Sequence, residues 1–248
     1  MMRKRGYTLS EILVALTIVG VIAALVIPQL VKNIQKNETG AILAKSVEQL
    51  ETGFQNVIQT ANDHYTDGSY AEVLAVISPD DLTTDGGTGA ESIDKSIVWA
   101  SDLSKMLPYL GLTKITMAYS DFKDIKKFDG QKDALISALI NANTKYKFSK
   151  TPASVFIFLG TAFVDNDETV QQTDPNLKVG TITIDTNGFD KAPNVWGKDL
   201  FQFKLHNNGK MIPVGLDDYT EKCADGNITD GKSCTARVVA DGWKVKYY

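Results

Sequence analysis

The sequence predicts an α+β chain whose long N-terminal helix begins as a membrane span, and three observations carry that prediction. Residues 12–31 hold no charge, and Ile12–Ile27 is almost wholly apolar. Leu43, Val47, Leu50, Phe54, Val57 and Ala61 then recur at alternating spacings of four and three, the period of one helix face. From Ala153 onward the period changes to short β-branched and aromatic runs separated by turns. Helix first and strands afterwards is the order of a segregated α+β chain.

Met1-Met2-Arg3-Lys4-Arg5-Gly6 is short and strongly basic. The uncharged stretch behind it is 20 residues long; at about 1.5 Å each, these rise roughly 30 Å, the thickness of a bilayer core. The basic residues hold the N-terminus in the cytoplasm, so the remainder faces the other side. A secretory signal would end in small residues of the Ala-x-Ala kind. Here the stretch ends in Leu25-Val26-Ile27-Pro28-Gln29, a poor match. A plain anchor explains the length and the basic flank but leaves Glu11 unexplained, because carboxylates inside spanning segments are costly and usually have a functional partner. Gly20 and Pro28 are weak points of the helix, the first by propensity and the second by its missing N–H.

The amphipathic half-helix has Lys45, Glu48, Gln49, Glu51, Gln55 and Gln59 on its other faces, and its pattern decays at Asn62-Asp63. Its apolar stripe must dock on something. Residues 78–92 read as loop, with helical candidates at Ile93–Leu107 and Lys132–Asn141 and a solvated face at Lys126-Lys127. Val155–Leu159 and Gly180–Asp185 read as strands. Leu200–Leu205 alternates apolar and polar, then turns through Asn207-Asn208-Gly209 into Lys210–Val214, a hairpin. Trp243, Tyr247 and Tyr248 are expected to pack on the sheet.

Net charge is −4, with 43% hydrophobic and 23% charged residues, which argues against disorder and against a strongly basic nucleic-acid binder. Two cysteines and two histidines do not make a zinc site. Cys223 and Cys234 lie on the far side of the membrane from the basic leader, where disulfides persist. Closing that loop contributes roughly 2–4 kcal/mol; the alternative is two thiols packed as small apolar side chains. Gly226–Ser233 satisfies the Walker A pattern, but no buried strand leads into it, and turn residues explain it. Asp165 and Asp167 in one acidic stretch, and Asp185 before Asn187-Gly188 in another, are weak calcium candidates, and neither stretch completes an EF-hand. No nucleophile elbow and no His-Glu-x-x-His is present, so no enzymatic activity is expected.

Gly6-Tyr7-Thr8-Leu9-Ser10-Glu11 followed by the apolar run resembles the leader junction of the type IV pilin and type II secretion pseudopilin superfamily. The resemblance covers about the first 30 residues; tyrosine at position 7 departs from the commoner phenylalanine or methionine but keeps aromatic character. It implies that prepilin peptidase cuts after Gly6, that Tyr7 is then N-methylated, and that Glu11 neutralises the α-amino group of a neighbouring subunit. It implies helix breaks near Gly20 and Pro28, and a headgroup sheet packed on the helix's second half. On this reading residues 1–6 are leader, 7–30 the transmembrane and filament-core half-helix, and 31–62 the amphipathic half-helix. Residues 63–150 are a variable insert read as surface decoration, and 151–248 hold the antiparallel sheet and disulfide-loop region. Partners implied are other pilin or pseudopilin subunits, the peptidase, and an inner-membrane platform with its ATPase; calcium is known in some C-terminal loops of the family. The expected place is the bacterial inner membrane, single-pass, with the headgroup outside. Size and the long insert favour a secretion pseudopilin or minor pilin over a surface pilin used for adhesion, motility or DNA uptake. The alternative from another class is a tethered binding or enzymatic domain with an uncut anchor.

Overall fold

A computed structural model describes residues 8–67, 106–116, 121–159, 178–206 and 208–248. Helix α1 is 59 residues long, Leu9–Asp67, and runs through Pro28 and past the decay of its apolar pattern. Its two halves meet different surroundings. Up to Thr39 no residue of the helix is buried; from Leu43 the predicted stripe is the core, with Leu43, Val47, Leu50, Phe54 and Val57 all buried.

The stripe docks on a six-stranded antiparallel sheet in sequential order: β1 Leu112–Ile115, β2 Lys145–Phe148, β3 Ser154–Leu159, β4 Lys178–Asp185, β5 Leu200–His206 and β6 Met211–Pro213. Strand alternation sends Val155, Ile157, Ile182, Ile184, Phe201, Phe203 and Leu205 into one cluster with α1. Phe156 faces the other way, into a second cluster with Phe122, Ile125, Trp196 and Ile136 and Ile140 of a nine-residue helix, Ala134–Ala142. That helix starts on Asp133, whose carboxylate accepts from Ile136 N, and Lys145 donates to Ile140 O at its far end, where a cation suits the dipole.

The predicted hairpin is present: Gly209, at φ 78°, donates to His206 O, and His206 N donates to Lys210 O. The helix expected at Lys132–Asn141 is present as Ala134–Ala142. One expectation is corrected. Strands β1 and β2 come from the stretch read as surface decoration, so that stretch builds one side of the sheet. The sequence conceals this because each is only four residues long, Leu-Thr-Lys-Ile and Lys-Tyr-Lys-Phe, with lysines diluting the apolar pattern. Gln49, Glu51 and Gln55, on the other faces of α1, bond to backbone at the flanks of the sheet. Gln49 Nε2 donates to Leu110 O at 2.8 Å and Gly111 O at 3.1 Å, Glu51 accepts from Met211 N at 2.9 Å, and Gln55 donates to Asn208 O. They satisfy backbone groups beside β1 and around β6, the two outer strands. The 78–92 loop and most of the Ile93–Leu107 candidate lie outside the described residues.

Cys223 and Cys234 form a disulfide, closing the two-stranded β7–β8 ribbon (Cys223–Ala224, Asn227–Ile228) onto a seven-residue helix, Cys234–Ala240. The chain then returns to α1. Tyr247 is buried and its hydroxyl donates to Gly197 O at 2.6 Å, while the Tyr248 ring lies under the Lys36 ammonium of α1 and edge-on to Phe128. Backbone approaches α1 at two glycines: Gly40 meets Trp243, and Gly53 meets Tyr109 and Leu110.

Candidate functional site

Among the described residues, the first half of α1 is the feature that packs against nothing. From Leu9 to Ile34 every leucine, isoleucine and valine is 44–80% exposed, and the most apolar window has mean hydropathy 2.6 with none of it buried. These number fifteen side chains; at roughly 1.5–3 kcal/mol each when fully buried, the row holds on the order of 20–40 kcal/mol against water. Length and composition suffice to cross a membrane. A helix in that setting must satisfy its own polar groups, as Thr17 does by donating its Oγ1 to Leu13 O at 2.8 Å. Pro28 offers no N–H to the carbonyl one turn earlier, that of Ala24. Gly20 has open space around it, with nothing within 4 Å of a hypothetical Cβ.

Glu11 stands in the first turn, and the structure gives it a role that the sequence reading missed. Thr8 N donates to Glu11 Oε2 at 2.8 Å, Thr8 Oγ1 to the same oxygen at 2.9 Å, and Glu11 N to Thr8 Oγ1 at 3.3 Å. This reciprocal arrangement is a capping box, and its signature was legible in Thr8-Leu9-Ser10-Glu11. Within the chain the carboxylate therefore closes its own helix end. Exchanging the Thr8 donors for an ammonium would strengthen the interaction, since both partners would then be charged. Gly6 and Tyr7 lie outside the described residues, as do Asp165 and Asp167.

Asp185 sits at the end of β4, fully buried, and its Oδ1 accepts from Asn187 N and Gly188 N at 3.0 Å. Asp199 accepts from Asn194 N at 2.8 Å, Val195 N at 2.6 Å and Asn187 Nδ2 at 3.2 Å, which fastens the 186–199 loop. Burial raises both carboxyls above their ordinary range, and the nearby charge of Asp199 pushes Asp185 further. Asp185 Oδ2, Asn187 Oδ1 and Asn194 Oδ1 are buried without a hydrogen-bond partner. A protonated Asp185 turns one of these orphan acceptors into a donor. Among the described residues no group of three or more His, Cys, Asp or Glu is placed to hold a metal ion.

The Walker-like stretch is a disulfide-loop turn. Lys232 is 3.5 Å from the Asp133 carboxylate and 5.0 Å above the Trp196 ring, and the helix that follows has seven residues.

Residues 1–27 match the family model described as the prokaryotic N-terminal methylation motif, the prepilin-type signal of type IV pilins and pseudopilins. The match spans 27 of 248 residues and ends one residue before Pro28. No curated protein and no solved structure matches the chain.

Proposed function

We propose that this chain, which opens on a prepilin-type signal, is a structural subunit of a pilus-like filament. It is cut after Gly6 by prepilin peptidase, N-methylated at Tyr7, and stored in the bacterial inner membrane with its headgroup outside. The observation that carries this reading is one conjunction. The signal leads directly into an apolar half-helix that stands clear of a headgroup whose own core is already filled. Assembly would move that half-helix from lipid into contact with its counterparts. Lipid is as apolar as leucine, so the hydrophobic term nearly cancels, and packing together with the Glu11 ion pair sets the register. An inner-membrane platform and its ATPase would drive the transfer.

Within the superfamily we place the subunit with secretion pseudopilins or minor pilins. Its 248 residues and the long stretch between helix and main sheet favour this over a surface pilin.

Expression of Glu11→Ala in the native host tests the assembly role. Cleavage and methylation persist while the variant disappears from sheared filaments; Thr8→Val, which removes the cap and keeps the charge, still assembles. Normal incorporation of Glu11→Ala would refute the ion pair, and absence of wild-type chain from any filament would refute the function.

A further inference from the structure

We propose that the lysine-lined cavity where α1 meets the 186–199 loop binds the headgroup of an anionic phospholipid, an inference that rests on the membrane reading above. The cavity measures about 720 Å³, within the range of small-ligand sites. Lys32 and Lys36 enter it from α1, and Lys191 and Lys198 from the loop, with Tyr248 as an aromatic wall. None of the four lysines is ion-paired among the described residues. Two carboxylates also line it, Glu38 and Asp199, and Asp199 already accepts from Asn187, Asn194 and Val195. The balance is cationic.

Two of the four, Lys36 and Lys198, are held in place without being neutralised. Lys36 Nζ lies 4.4 Å above the Tyr248 ring, and Lys198 Nζ lies 4.7 Å from the Phe128 ring centre and 5.9 Å from that of Tyr248. Ring faces position an ammonium while leaving N–H donors for a phosphate.

Depth selects the ligand. Twenty residues of rise from Glu11 reach Val31, roughly 30 Å and one bilayer core away. Lys32 and Lys36 follow on the next turn, so the cavity opens at the level of the lipid headgroups on the side the headgroup domain occupies. Opposite charges attract at whichever bilayer face the cluster meets, and beside an anionic leaflet each lysine contributes about fivefold in affinity. A dissolved phosphate would meet the same donors but lacks the local concentration that the bilayer provides. Such a seat would fix the tilt of the stored subunit and would have to open when the helix leaves the membrane.

The test titrates short-chain phosphatidylglycerol and phosphatidylcholine onto the full chain in detergent, reading bound lipid by native mass spectrometry. The expected result is a preference for phosphatidylglycerol that falls about 25-fold in the double variant Lys191→Gln/Lys198→Gln, two lysines at about fivefold each. These positions lie off the spanning helix, and an unchanged melting temperature confirms that the variant is folded. Equal affinity for the two lipids, or a preference indifferent to the variant, overturns the proposal. Complete displacement by millimolar inorganic phosphate overturns it in favour of a free-phosphate site. Unaltered lipid preference with lost filament incorporation overturns it in favour of contact with an acidic neighbouring subunit. Insertion into phosphatidylcholine vesicles is scored separately: failure there refutes the membrane reading itself.

Discussion

Gly40→Ala is expected to loosen the headgroup from its helix. A Cβ at Gly40 would overlap the carbonyl oxygen of Trp243 and stand 3.0 Å from its carbonyl carbon, so the obstruction is backbone on both sides. Adding a methylene to a packed contact typically costs about 1–3 kcal/mol, and no flexible side chain is available here to give way, which points to the upper end. Alanine returns about 1 kcal/mol of helix propensity. The net is a destabilisation of about 2 kcal/mol, or about 4–8 °C in melting temperature for a domain of this size. Gly20→Ala is the internal control, because a Cβ there meets nothing within 4 Å and only the propensity gain remains. The assay is thermal unfolding of the full chain in detergent, followed by tryptophan fluorescence. A Gly40→Ala melting temperature equal to or above that of the native chain would refute the close approach of residue 243 to α1, and with it the way the C-terminal tail seats the helix.

Three further outcomes follow from the same structure. Replacing both Cys223 and Cys234 by alanine frees a loop with a sequence separation of 11; loop-closure entropy puts the loss at about 3 kcal/mol, and chemical denaturation of the two forms measures it. Asp185→Asn keeps the acceptor for Asn187 N and Gly188 N while removing a buried charge. Because burial raises the folded carboxyl above its unfolded value, the native form binds the extra proton. Stability from this site is thus present below about pH 4 and lost as pH rises through the folded value. The variant should melt higher than the native chain at pH 7.5, with the gap closing near pH 4. Millimolar calcium should leave the native melting temperature unchanged, whereas a calcium-dependent rise that Asp185→Asn abolishes would identify a cation site.

Long elements with one dominant period were legible in the sequence. The span showed in its unbroken lack of charge, the docking stripe in its four-three spacing, and β5–β6 in alternation around Asn-Asn-Gly. The four-residue strands β1 and β2 were not, because β1 pairs far along the chain, Leu112 with Phe148, and lysine occupies three of the eight positions of the two strands. At the site, Glu11 was read as an acid waiting for a neighbour, although Thr8 three residues earlier already announced its partner within the subunit. The lysine cavity was illegible for a different reason. Lys32 and Lys36 are separated from Lys191 and Lys198 by more than 150 residues, and no local pattern records that the 186–199 loop folds against α1.

The most direct trial of the account is intact mass measurement of the chain purified from its native host. The account predicts a polypeptide that begins at Tyr7 and is heavier than its sequence by one methyl group. A chain that still carries Met1–Gly6 would contradict it and leave a tethered domain in its place.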